Sequence, residues 1–308
     1  MKVCFFGLGS IGKRHLKNFI EISNEIGIDV EIYAFRTSNS FIDDYLKSNI
    51  ISIITDEEKI PNDFDITFIT NPTSLHYQTI KLMEEKTKHM FIEKPIFDEK
   101  EYEVDNLKLK SNGVYYVARP LVHSNVITEL KKIIENEKIY SVRSICSSYL
   151  PNWRPNIDYR NVYSAKKDLG GGVSIDLIHE WDYLTYLFGF PIEVFNFQGR
   201  FSHLEIDSED LSIYIAKYKD KLIELHLDYF GRETRRSIEI LTKNGDIIGD
   251  FTNKKINFSD GRQTIEFGNE DMYVNEMRYF INKVLYEENG ENNINRAYHV
   301  LRLATGRV

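Results

Sequence analysis

An apolar run at residues 3–6 leads directly into Gly7-Leu8-Gly9-Ser10-Ile11-Gly12, a G-x-G-x-x-G turn that opens a stretch of helical periodicity over 11–26. The spacing alone is common; strand, glycines and helix in that order constrain the fold far more. Gly7 permits the tight turn, Gly9 lets an anion approach the backbone, and Gly12 lets the helix pack close to its sheet. The free N–H groups and dipole of the helix start favour negative charge. Gly7, Gly9, Ser10, Ile11 and Gly12 are therefore the expected pyrophosphate-binding residues of a dinucleotide site.

The chain continues in the same idiom. Apolar runs at 31–35, 50–54, 66–70, 90–92 and 114–118 alternate with helical patterns, including 75–86 and a further helix before 114. Such continuous runs are the mark of parallel strands buried on both faces. After about residue 120 the pattern changes. A helix is expected over 124–136, a strand over 139–149, then a polar aromatic loop, Gly170-Gly171-Gly172 and an apolar helix ending near Gly189. Residues 192–267 read as a meander with period-two alternation and turns at Lys219-Asp220, Asn244-Gly245 and Asp260-Gly261. Helices over 271–286 and 293–305 end the chain. The predicted architecture is an α/β Rossmann domain, 1–120, followed by an α+β domain, 121–308, with an open-faced, mainly antiparallel sheet serving substrate and oligomer contacts. The last helix is left free to pack back on the first domain.

Composition narrows the partners. The chain has 39 Lys+Arg against 47 Asp+Glu, a net charge of −8, the wrong sign for a general nucleic-acid binder. Cys4 and Cys146 both fall in apolar strands and read as core thiols. No run approaches the ~20 apolar residues of a membrane span, and the N-terminal run is too short for a signal peptide. The expected setting is cytoplasmic, away from membranes. No spacing of His, Cys or carboxylates suggests a metal.

The tip of the second strand bears on the cofactor. An acid there would bind the ribose hydroxyl of NAD, and an Arg accommodates the extra phosphate of NADP. Here the strand runs into Arg36-Thr37-Ser38 with no acid at its tip. NADP(H) is therefore the favoured cofactor and NAD(H) the alternative. Three further segments follow strands on the side where open α/β sheets place their chemistry: Asn71-Pro72-Thr73-Ser74-Leu75-His76, Glu93-Lys94-Pro95, and Arg119.

The glycine fingerprint, Asn71-Pro72-Thr73…His76, Glu93-Lys94-Pro95 and Gly170-Gly171-Gly172-Val173-Ser174-Ile175-Asp176-Leu177-Ile178-His179 together resemble the glucose–fructose oxidoreductase / inositol dehydrogenase / MocA family over nearly the whole chain. The resemblance implies hydride transfer between NAD(P) and a hydroxyl-bearing carbon of a sugar or polyol. It makes Lys94 the donor to the reacting oxygen, His179 the base or acid for its proton, and Asp176 the partner of His179. Glu93 would bind the nicotinamide end or hold Lys94, across a lysine–proline bond that the resemblance allows to be cis. Asn71, Pro72, Thr73 and His76 would line the cofactor. The family usually spaces this Asp and His four residues apart. Here they are three apart, a spacing that still shares one face of a continuous helix. Asp176, His179 and Tyr183 are expected on its more polar stripe, opposite Val173, Leu177, Trp181, Leu184 and Phe188. The other histidines, His15 and His89 among them, have no such context.

The loop 149–160 carries rings that stack on sugar faces and groups that bind hydroxyls or anions. Trp153, Arg154, Asp158, Tyr159 and Arg160, with Arg119, are the expected substrate contacts. The resemblance adds a nucleotide-activated or acidic sugar as the substrate class. The reading is an NAD(P)-dependent oxidoreductase acting on CH–OH groups; the competing one is a non-catalytic NAD(P)-dependent sugar sensor on the same fold. The mixed face of the second sheet needs cover, pointing to a homodimer or homotetramer assembled through it.

Overall fold

The computed structural model describes residues 1–37, 41–98, 101–286 and 290–307. In chain order the elements are β1 (Lys2–Phe6), α1 (Ser10–Glu25), β2 (Glu31–Phe35), α2 (Asp44–Asn49), β3 (Ile50–Ile54), β4 (Phe64–Ile69), α3 (His76–Met83), β5 (Thr87–Ile92) and β6 (Val114–Val117). Then come α4 (Asn125–Ile134), β7 (Ile139–Tyr149), α5 (Val173–Asp176), α6 (His179–Phe188), β8 (Glu193–Gly199), β9 (Leu211–Lys217), β10 (Leu222–Asp228) and β11 (Phe230–Thr242). The chain closes with β12 (Asp246–Asp250), β13 (Lys255–Phe258), β14 (Ile265–Glu266), α7 (Met272–Tyr286), β15 (Glu291–Asn292) and α8 (Ile294–Ala304). These form two compact units: 1–120 with 273–298, and 121–272 with 299–307. The chain thus returns to its first unit with α7 and β15, and the unit boundary falls inside α8. A division at residue 120 alone misses this, because a return contact leaves no mark in local periodicity. Among the described residues no helix is long and apolar enough to cross a membrane.

The first unit is a seven-stranded parallel sheet in the order β15-β6-β5-β4-β1-β2-β3. Val3, Phe5, Ile66, Phe68 and Phe91 are wholly withdrawn from solvent, as strands covered on both faces require. Phe68 meets Phe19 of α1 at 5.3 Å and Phe280 of α7 at 5.8 Å, both edge to face. The two helices therefore share one face of the sheet. The helix expected before β6 does not form among the described residues; a 3-10 turn at Val104–Asn106 stands there. The apolar residues of this segment, Tyr102 and Leu109 on one side of a helical wheel and Val104 and Leu107 on the other, form no single apolar stripe. Tyr102 instead stacks among Phe97 and Tyr77, at 4.7 Å from each.

The second unit is an eight-stranded sheet in the order β14-β13-β12-β11-β7-β10-β9-β8, antiparallel except for β7 with β10. One face is apolar, with Val142, Tyr214, Ile223, Leu225, Ile238, Ile240 and Ile247 buried. There Trp181 of α6 meets Tyr214 edge to face at 5.2 Å, and Tyr183 bonds Ser144 at 2.6 Å. The opposite face is mixed. Arg143 bridges Glu224 and Glu239 at 3.8 and 3.1 Å, and Phe195 and Phe197 are exposed. Cys4 and Cys146 are both buried thiols.

Candidate active-site residues

In the first unit the expected residues collect at the carboxyl ends of β1, β2, β4 and β5. Gly7 has φ +88°, and a Cβ there would stand 2.8 Å from the Asn71 Cα. A Cβ on Gly12 would stand 2.3 Å from the Gly7 carbonyl oxygen and 2.7 Å from Thr70 Oγ1. Thr70 Oγ1 donates to that same carbonyl at 2.6 Å. The glycine turn is thus fastened to the turn after β4, and two of its three glycines answer to the protein's own packing. Gly9 is different: nothing lies within 4 Å of the place its Cβ would take. Helix α1 also starts with no side-chain cap, and Gly9 and Ser10 are exposed. Asn71 donates to Thr79 Oγ1 at 2.8 Å, while its Oδ1 is buried with no hydrogen-bond partner among the described residues. A free backbone approach, uncapped N–H groups and an unspent acceptor fit a pyrophosphate and a ribose hydroxyl.

At the end of β2, Arg36 extends the ladder through its N–H to the Ile54 carbonyl at 3.0 Å, and its side chain is buried. Thr37 is exposed, and Ser38 lies outside the described residues.

After β5 the Lys94–Pro95 peptide is cis. Glu93 is buried. Its Oε1 is hydrogen-bonded to His15 Nε2 of α1, and its Oε2 accepts the Lys94 N–H at 3.2 Å. Burial alone would raise the Glu93 carboxyl; the bond and charge of His15, with Lys94 and His76 nearby, hold it below the usual carboxylate range. Lys94 itself is half-buried.

Two expectations in this unit need correcting. His76 is not presented to a ligand: it is 1% exposed, with Nδ1 at 3.1 Å from the Ile96 carbonyl and Nε2 at 3.0 Å from that of Asn71. It pins the turn after β4 to the turn after β5, and burial holds its pKa below the ordinary value. Arg119 does not reach for substrate either. Its side chain is largely buried, 5.7 Å from the ring of Tyr116 on the adjacent β6 and 3.7 Å from Glu291 of β15, a partner that only the chain's return supplies.

In the second unit, the helix expected to carry Asp176 and His179 is interrupted. Helix α5 ends at Asp176 and α6 begins at His179, with three-residue bonds from Ile178 N–H to the Ile175 carbonyl and from Glu180 N–H to that of Leu177. The anchors of the two pieces differ. Glu209 accepts from Ser174 Oγ at 2.6 Å, and Asp176 Oδ2 accepts from the Tyr229 hydroxyl at 2.6 Å. Helix α6 has no polar outer stripe: His179, Glu180, Trp181, Asp182, Tyr183 and Leu184 are all buried. Glu180 is completely buried beside Arg236 Nε at 2.7 Å; burial pushes its carboxyl up and Arg236 draws it back. The glycine triplet is steric. Gly172 has φ +144°, and a Cβ on Gly171 would stand 2.1 Å from the Tyr163 carbonyl oxygen.

The expected substrate loop divides. Trp153 donates through Nε1 to Ser148 Oγ at 2.9 Å and stands edge to face on Tyr229 at 5.2 Å. Arg154 is exposed. Asp158 accepts from the Arg160 guanidinium at 2.8–3.1 Å; Arg160 also reaches Glu205 at 3.1 Å, and the Tyr159 hydroxyl takes the Glu205 N–H at 3.2 Å. The guanidinium holds the Asp158 carboxyl below its usual range.

Sequence reasoning missed His15, Tyr229 and the Glu180–Arg236 pair. A signal existed for His15: it shares the buried face of α1 with Gly12, Leu16 and Phe19, and a polar group on an apolar stripe demands a partner. Tyr229 and Arg236 meet α5 and α6 only through long-range pairing, which has no local signature.

Residues 1–112 match the model of an oxidoreductase family with an NAD-binding Rossmann fold, and 127–248 match the GFO/IDH/MocA C-terminal domain. An uncharacterized oxidoreductase of Bacillus subtilis (strain 168), YrbE, is 30% identical over 190 residues, which span 59% of this chain and about half, 52%, of that protein. Among solved structures, levoglucosan dehydrogenase in complex with NADH and levoglucosan aligns with TM-score 0.82 at 17% identity, covering 99% of this chain and 95% of its own. UDP-N-acetylglucosamine 3-dehydrogenase GnnA from Acidithiobacillus ferrooxidans aligns with TM-score 0.77 at 17% identity, covering 100% and 96%. At such identity these two likenesses speak to fold. With both of its domain models matched in order along the sequence, the chain belongs to the Gfo/Idh/MocA family of oxidoreductases.

Proposed function

We propose that this protein moves a hydride between a nicotinamide dinucleotide and a hydroxyl-bearing carbon of a sugar, with a nucleotide-activated or acidic sugar as the favoured substrate class. The observation that carries the reading is the Lys94 turn: it follows β5 and is tied by Glu93 to the helix whose uncapped N-terminus fits a pyrophosphate. Bound there, a nicotinamide dinucleotide would supply the hydride acceptor for oxidation and the hydride donor for reduction. Lys94 Nζ donates to the reacting oxygen and stabilises the negative charge that develops as its proton leaves. His179 takes that proton in oxidation and gives it back in reduction. Asp176, held by the Tyr229 hydroxyl, acts on His179 as a positioning residue. Gly9, Ser10, Ile11 and Asn71 hold the cofactor's phosphates and ribose; Arg36 with Thr37 at the tip of β2 favours NADP(H). Trp153 and Arg154 offer a stacking ring and a cation to the sugar. Sugar dehydrogenases among the proteins of this fold support the substrate class. The mixed outer face of the second sheet, with Phe195 and Phe197 exposed, serves as the contact between copies in a homodimer or homotetramer, a number that sedimentation reads directly.

The test is an absorbance screen at the reduced-nicotinamide band, with both cofactors, against sugars and nucleotide sugars. On the substrate so found, Lys94→Ala lowers kcat by about 10²-fold or more while cofactor binding, read by NADH and NADPH fluorescence, persists. A Lys94→Ala protein that turns over normally refutes the mechanism.

A further inference from the structure

His15 lies three residues beyond Gly12 on α1 and is wholly withdrawn from solvent. Its ring is fixed by Phe91 at 4.7 Å and Tyr273 at 6.1 Å, and Nε2 meets Glu93 Oε1. The second oxygen of the same carboxylate holds the Lys94 N–H. One buried carboxylate thus joins the phosphate-facing helix to the residue assigned to the reacting oxygen. Packing alone does not call for such a pair. A matched pair of apolar side chains fills the same space without the desolvation cost of two polar groups. The other flank of the turn is pinned as well, by His76 to the Ile96 and Asn71 carbonyls.

The geometry points to His15 as a positioning residue that, acting through Glu93, sets where Lys94 stands relative to the glycine turn. The inference rests on the catalytic reading of Lys94 given above, but its test separates the two. In the cofactor-free protein, competitive acetylation with acetic anhydride, read by mass spectrometry, compares Lys94 with the exposed Lys59 and Lys132. His15→Leu changes the relative reactivity of Lys94 by about threefold or more. His15→Gln, which keeps an N–H for Glu93, leaves it within about 1.5-fold of the wild type. On the substrate from the screen, His15→Leu lowers kcat by about tenfold or more and leaves NADH and NADPH affinities within about twofold. His15→Gln restores kcat, and His15→Leu adds nothing to Lys94→Ala. If His15→Leu fails to fold, Glu93→Gln is read in the same way, with the same change in Lys94 expected. Unaltered Lys94 reactivity in the folded variant, or equal damage from His15→Leu and His15→Gln, overturns the inference. Turnover surviving in Lys94→Ala, with Lys94 reactivity still shifted by His15→Leu, removes the catalytic reading and leaves the positioning role standing.

Discussion

The lysine turn of the first unit and the loop 150–169 of the second treat their polar groups in opposite ways. Around Lys94 the polar groups are buried and spent on one another and on neighbouring backbone: Glu93 on the His15 ring and the Lys94 N–H, His76 on two carbonyls, Thr70 on the glycine turn. In the loop, Asp158 and Arg160 satisfy each other at the surface, with Glu205 from the segment after β8. Buried polar networks are costly when broken and so hold one geometry, whereas exposed ion pairs exchange readily with water. On the function proposed above, the first region would serve a reaction step that every substrate shares. On the same proposal, the second would serve substrate contacts that differ from one substrate to another, because its residues can change without disturbing a core.

That contrast can be broken at its strong end first. Gly12→Val drives a side chain into the Gly7 carbonyl and Thr70 Oγ1. The expected loss exceeds about 3 kcal/mol, read as a fall in urea midpoint together with loss of dinucleotide binding; a variant of wild-type stability that still binds cofactor would mean the turn is far softer than described. The next largest effect belongs to the second unit and sharpens the contrast within it. Glu180 is fully buried beside Arg236, whose side chain is 25% exposed, so Glu180→Ala leaves that guanidinium without its carboxylate and costs at most about 3 kcal/mol, the low end for a broken buried pair. Thermal unfolding measures it, and an unchanged Tm would show that Arg236 finds water. The smallest effect is expected at Arg160→Ala. It leaves Tm where it is, because the pairs it removes are solvent-exposed, and shows itself in the KM for an acidic or nucleotide-linked sugar. A clear fall in Tm would make the loop as structural as the lysine turn.

The same division explains what was legible beforehand. The turn Gly7–Gly12 between β1 and α1 and the parallel strands that follow are local patterns, and each stands in the structure where the pattern put it. Expectations failed where a residue's surroundings come from distant chain. His76 and Arg119 looked available to ligands because their partners, Ile96 in one case and Glu291 in the other, lie 20 and more than 170 residues away. Asp176 and His179 looked like one helical face because nothing in their spacing announces Tyr229 and Glu209 pulling on the first turn.

Taken by itself, the sequence determined the parallel Rossmann sheet, the anion-ready helix start and the chemistry of the candidate side chains. Glycine spacing, apolar periodicity and residue type act within a few residues of one another. Tertiary structure alone decided which polar groups are spent: His15 on Glu93, Glu180 on Arg236, Asp176 on Tyr229. The reason is physical. Burial and hydrogen-bond partners belong to the packed arrangement, and only folding brings those residues to within 3 Å or so of one another.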